Sequence, residues 1–207
     1  MTPSLPFPYV PQWASAHAIP QILSGELALI DDPLWADSGA PSAAAYAEWT
    51  SHICGMACLR MILGQRMGLD QAPSLFQLKD QCLAHGGYIQ EGERIKGLYY
   101  RPFIEWVHSA YGLKAELKEH TPIQALLPGL GHKHVFIASV HPSIRTPENN
   151  PPHQGGHLIL VYGYDAERHT LTFHNPSGHV HSSQQAVCMP VADFERFYAG
   201  RGILVAR

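Results

Sequence analysis

Gly155-Gly156-His157-Leu158-Ile159-Leu160-Val161-Tyr162-Gly163-Tyr164-Asp165 opens on two glycines and a histidine, continues as an apolar run and ends on a turn-forming aspartate. A short apolar segment with β-branched and aromatic residues, bounded in this way, reads as a buried strand. Just downstream, Thr170-Leu171-Thr172-Phe173-His174 alternates strictly around Leu171 and Phe173. A turn after Asp165 would join the two as an antiparallel hairpin, with the start of the first strand beside the end of the second. His157 and Asn175, from His174-Asn175-Pro176-Ser177-Gly178, then become neighbours. An imidazole that serves a nucleophile as base needs a side chain to hold its ring and fix its tautomer, and an asparagine amide can do that. The glycines ahead of His157 let a substrate backbone come close.

A matching nucleophile lies upstream, in His52-Ile53-Cys54-Gly55-Met56-Ala57-Cys58-Leu59-Arg60-Met61-Ile62-Leu63. Met56, Leu59 and Leu63 recur at helical spacing. Cys54 would occupy the first turn, where free N–H groups and the helix dipole favour a thiolate. Taken alone, Cys54 reads more readily as a buried core cysteine, His157 as a satisfied core histidine and Asn175 as a turn residue. Their convergence is what assigns chemistry to all three. Asp165 reads as the hairpin turn residue, not as a catalytic acid.

Around these segments the helical signals come first and the strand signals second. Residues 1–12 are proline-rich and extended, and 13–27 suggest a helix limited by Pro20. A turn-rich loop over 31–41 precedes an Ala-rich helix over 42–50 that leads into the Cys54 element. Helices are expected at 74–83, with Ser74 as N-cap, and at 98–111, closed by Gly112, with a loop over 92–97 between them. Thr121-Pro122-Ile123-Gln124 carries a capping-box signature for a short helix through Leu127. Strands follow at 135–140, 157–164 and 170–174, then a helix at 190–198 and a strand at 202–206. The order argues for an α+β fold in a single domain spanning 1–207, its N-terminal helices packed on a C-terminal antiparallel sheet.

Composition narrows the function. The chain of 207 residues is 45% hydrophobic and 15% charged, a globular composition, and its formal net charge of −3 with no Lys/Arg run argues against nucleic acid as partner. No apolar run approaches a membrane span, and the N-terminus shows neither the basic nor the apolar region of a secretory signal, so a cytoplasmic location is expected. Cys54, Cys58, Cys82 and Cys188 form neither a CxxC pair nor a zinc-finger spacing, and Cys58 is expected to pack into the core. On a strand the His132/His134 and His179/His181 pairs would each share a face and could ligate a metal, but they lack a carboxylate or cysteine at ligand spacing, so they read as surface histidines and no metal or cofactor is expected.

Cys54-Gly55-Met56-Ala57-Cys58, then Gly156-His157 with Val161-Tyr162-Gly163-Tyr164-Asp165, then Asn175-Pro176 resembles the papain-like cysteine peptidases of the bacteriocin-leader-processing (double-glycine) family in free-standing form. That family has its nucleophile before Gly-Pro-Ala, a histidine in Gly-His-Phe followed by Gly-Tyr-Asp, and an acid or amide before proline. The resemblance implies a papain-like fold with Cys54 as nucleophile, His157 as general base and acid, and Asn175 as orienting residue. It further implies a cysteine peptidase or amidase that hydrolyses a peptide or small amide through an acyl-enzyme. A catalytically inactive peptide-binding module and an acyl transferase are the alternatives.

One position departs from the family. Its oxyanion-hole glutamine stands six residues before the cysteine, where this chain has Glu48. A carboxylate is a poor oxyanion donor unless protonated, and losing one donor costs about 100- to 1000-fold in turnover. Gln12, in Val10-Pro11-Gln12, is the other candidate, in which case residues 13–47 are an insertion within an N-terminal extension over 1–47. Met56 also replaces the family's proline.

Overall fold

Ser42 and Ser74 start two of the helices in the way their side chains dictate. Ser42 Oγ accepts the N–H of Ala45 at 3.1 Å, while Ser74 and Gln77 cap each other reciprocally, at 2.8 and 3.2 Å. A computed structural model describes residues 7–207, so the first part of the proline-rich start lies outside the described residues. Helices α1 (Ile19–Ser24), α2 (Ala43–Trp49), α3 (Cys54–Met67) and α4 (Leu75–Ala84) lead to a hairpin of β1 (Tyr88–Glu91) and β2 (Arg94–Gly97). Then come α5 (Tyr100–Tyr111), β3 (Ala115–Lys118), β4 (His134–Val140), β5 (His157–Asp165) and β6 (Thr170–His174). The chain closes with α6 (His181–Gln184), β7 (Val187–Pro190), α7 (Val191–Glu195) and β8 (Tyr198–Ala206).

The six later strands form one antiparallel sheet in the order β3-β8-β4-β5-β6-β7. The fold is α+β and papain-like, helices in the first half and sheet in the second. Helix α3 is buried nearly all round, through Met56, Ala57, Cys58, Leu59, Met61, Ile62 and Leu63, as a central helix must be. It packs on the sheet face that carries Val135, Ile137, Leu158, Leu160, Ile203 and Val205. Alternation sends Phe136, Ala138, Ile159, Val161, Leu171 and Phe173 to the opposite face, under Phe194 and Phe197.

The N-terminal segment is tied to the end of β6. Gln12 N–H donates to the Pro176 carbonyl at 2.9 Å, and Tyr9 Oη to the Asn175 carbonyl at 3.2 Å. Asp32, fully buried, accepts from the Ser15 and Tyr46 hydroxyls and from the Leu34 N–H, which fastens the 13–41 stretch to α2. Burial opposes ionisation of Asp32, but these hydrogen bonds outweigh it and hold the carboxyl below its usual range.

Several elements differ from the sequence expectation. The helix expected over 13–27 shrinks to a 3-10 turn and α1, between Pro20 at its start and left-handed Gly25 at its end. The loop expected over 92–97 is the second strand of a hairpin, turned at Gly92. Strand β3 was not anticipated, although Ala115-Glu116-Leu117-Lys118 alternates apolar and polar residues; it is only four residues long, half exposed and at a sheet edge. The helix expected after Thr121 is two 3-10 turns, because Thr121 Oγ1 turns back to the Glu119 carbonyl instead of capping. The helix expected over 190–198 is only α7, flanked by β7 and the start of β8. Asp165 is a turn residue, accepting the N–H groups of Glu167 and Arg168 at 3.0 Å each.

Candidate active site

Cys54 is the first residue of α3. The N–H groups of Met56 and Ala57 already bond the Ile53 carbonyl at 2.9 and 3.0 Å, so those of Cys54 and Gly55 remain as first-turn donors. Glycine at 55 lets neighbouring side chains close on the helix start: a Cβ there would stand 2.8 Å from Leu98 Cδ2 and 3.1 Å from Leu158 Cδ1, so the leucine side chains would have to shift. Backbone N–H groups of Leu158, Gly55 and Cys54 favour the thiolate, as a helix start should. Burial outweighs them and pushes the Cys54 thiol up. Burial therefore outweighs the activation expected from the helix start alone. Cys58, one turn on, is wholly buried core, and its thiol is pushed up further.

His157 begins β5, only 6% exposed. The β5–β6 pairing sets Leu160 opposite His174, so the chain beyond β6 runs back past His157. His157 Nε2 lies 2.8 Å from Oδ1 of fully buried Asn175. That oxygen also accepts the Ser177 N–H at 3.1 Å, which fixes the amide with its oxygen toward the ring. Nε2 therefore carries the proton, and Nδ1 keeps its lone pair; no hydrogen bond among the described residues engages Nδ1. Ser177 Oγ stands 3.0 Å from the same Nε2 and accepts Arg145 Nη2 at 2.9 Å. Burial, aided by the Arg145 charge and opposed by Asn175, lowers the His157 pKa to about 4, so the ring is neutral at pH 7.

Cys54 and His157 line one cleft of about 520 Å3, together with Gly156, Leu158, Leu98, Tyr100, Ser139 and Arg201. A sequence model of the Peptidase_C39 like family matches residues 35–203, from before α2 into β8. The chain belongs to the Peptidase_C39 like family. No curated protein matches the chain. The family's matched span contains Cys54, His157, Asn175 and Glu48 but not Gln12.

Within this Peptidase_C39 like chain, both oxyanion candidates expected from the sequence stand outside the cleft lining. Glu48 is exposed on α2, where its carboxylate accepts Gln90 Nε2 at 2.7 Å, and it does not line the cleft. Gln12, 3% exposed, does not line it either: its Nε2 donates to the Thr50 carbonyl at 3.3 Å, and its own carbonyl accepts Thr50 Oγ1 at 2.7 Å. The residues nearest Cys54 in sequence that do line the cleft are Ser51 and His52. Sequence reading also passed over Ser177 and Arg145. Ser177 could have been found from its place two residues after Asn175; Arg145 sits in a 3-10 turn after β4 and gives no local signal.

Proposed function

We propose that this family member is a cysteine peptidase or amidase using Cys54, His157 and Asn175. The observation that carries this is the 2.8 Å bond from His157 Nε2 to Asn175 Oδ1, which leaves Nδ1 as a proton acceptor in the cleft that Cys54 lines. Because the thiol is pushed up and the imidazole down, the resting pair is neutral, and the proton moves as attack occurs. The Cys54 Sγ–H proton passes to His157 Nδ1 while sulfur bonds to the carbonyl carbon of the substrate amide. Asn175 Oδ1 steadies the imidazolium that forms. The oxyanion takes the free N–H of the α3 first turn. His157 then returns the proton to the amide nitrogen, the C–N bond breaks, and a thioester remains on Cys54. Water, deprotonated by His157, cleaves the thioester and releases the acid.

Two features favour the inactive peptide-binding module as a second reading: the raised Cys54 thiol and the absence of Gln12 and Glu48 from the cleft lining. Alkylation separates the two. Under hydrolysis, His157 takes the thiol proton as sulfur attacks, so iodoacetamide at neutral pH labels Cys54 faster in the wild-type chain than in a His157→Gln variant, and labelling abolishes cleavage of a peptide pool. Slow labelling of Cys54 with no cleavage supports binding alone. A product that changes when an amine is added indicates acyl transfer. Within this proposal residues 7–207 act as one domain, since both cores share the sheet.

A further inference from the structure

Besides Cys54 and His157, the cleft wall carries a second set of polar groups. Arg201 projects from β8 beside Tyr100, at the start of α5, and Ser139, in β4. Ser139 is 3% exposed, and the Tyr100 phenol interacts with both its hydroxyl and the Arg201 guanidinium. Gly155 holds the group open. The empty position where its Cβ would stand lies 3.2 Å from Arg201 Nη2 and 3.3 Å from Ser139 Oγ, so a side chain at 155 would crowd both. The other arginine of the cleft, Arg101, is engaged by Glu119 at 3.8 Å. Arg201 has no carboxylate within ion-pair distance among the described residues. A guanidinium without an acidic partner, flanked by two hydroxyls in a cleft, is a set of convergent donors suited to a planar anion.

We propose that Arg201, with the Tyr100 and Ser139 hydroxyls, is a carboxylate-recognition subsite, so that preferred substrates are peptides carrying a free carboxylate close to the scissile amide. An acidic side chain and the peptide's own C-terminus offer the same chemistry. The proposal rests on the reading of the cleft as a peptide site. Tyr100, Ser139 and Arg201 line the same cleft as Cys54, so a carboxylate held by them belongs to a peptide whose neighbouring amide lies in the cleft that holds the sulfur. Arg201 is itself exposed, so its selectivity is modest, about fivefold, and falls with salt.

The test uses Cys54→Ser protein and two random-sequence peptide pools, one with free C-termini and one amidated. Retained peptides are identified by mass spectrometry. Enrichment in Asp and Glu within both pools assigns the subsite to acidic side chains. About fivefold preference for the free-acid pool assigns it to the C-terminus. Either bias should vanish in the Cys54→Ser/Arg201→Gln double variant, and should weaken at high salt in the Cys54→Ser protein itself, which keeps the test valid whatever Arg201→Gln does to folding. Retention without carboxylate bias, a bias that survives both Arg201→Gln and high salt, or no retention at all overturns the proposal. Cleavage of the same pools by the wild-type chain is read separately. Indifferent cleavage leaves hydrolysis standing and removes the subsite; biased retention without cleavage does the reverse.

Discussion

Asn175 Oδ1 accepts from both His157 Nε2, at 2.8 Å, and its own chain's Ser177 N–H, at 3.1 Å. The second bond decides the first, because a rotated amide would set its NH2 against the Ser177 N–H. The imidazole tautomer is thereby written into the backbone after β6. In Asn175→Ala both the ring and the Ser177 N–H lose their acceptor. The expected result is a fall in kcat of about 100-fold with KM little changed. An unfolding measurement should show a loss of about 1–3 kcal/mol from the orphaned buried N–H. A kcat that survives while stability falls would make Asn175 purely structural.

Arg145 reaches the same cluster from outside the hairpin, through Ser177 Oγ at 2.9 Å. Its charge adds to burial in keeping His157 neutral down to about pH 4. Removing that charge in Arg145→Gln lets the imidazole protonate more readily, so its pKa rises. The acid limb of the kcat/KM profile should therefore move to higher pH, with the plateau less affected. A limb that stays in place would mean the charge is screened from the ring.

The oxyanion prediction separates Glu48 from Gln12. Glu48→Gln restores the residue usual for the family, yet the side chain is exposed and engaged with Gln90. Peptide cleavage should change less than about twofold, and stability by no more than about 0.5 kcal/mol. Gln12→Ala should lower stability by about 1–3 kcal/mol, since its bond to the Thr50 carbonyl is buried. It should not show the roughly 100- to 1000-fold turnover loss of a missing oxyanion donor. A large rate gain in Glu48→Gln would show that α2 turns toward the cleft when substrate binds.

These residues also show what the sequence could and could not disclose. Period and turn chemistry put His157 at a strand start and Asn175 past the next strand's end, because a hairpin joins neighbours in the chain. Strand β3 escaped notice although Ala115-Glu116-Leu117-Lys118 alternates, because four half-exposed residues at a sheet edge make a short signal, and the β1–β2 hairpin escaped because its four-residue strands are mostly exposed. Counting back from Cys54 fixed the position of Glu48 but not the side of α2 on which it lies. Arg145 and Arg201 reach the site or its cleft through long-range folding, which no local spacing encodes. The Cys54 thiol is the instructive case: the helix start was legible, but the burial that overrides it belongs to the packed whole.

Two buried histidines, His157 and His174, make the stability of the fold depend on pH. His174 is held neutral from both sides: its Nε2 donates to the Phe7 carbonyl at 2.9 Å, and its Nδ1 accepts the Ala186 N–H at 3.0 Å. Burial lowers its pKa, and lowers that of His157 to about 4. Unfolded, both return to about 6.5. Between those values the unfolded chain binds more protons than the folded one, so stability is full above pH 6.5 and declines as pH falls toward about 4. For His157 the full effect is of order 3 kcal/mol, with His174 adding to it. Chemical denaturation at a series of pH values should show this slope, and His157→Gln should flatten it in part. Equal stability at pH 7 and pH 4.5 would mean that water reaches these rings and that neither is buried neutral in solution.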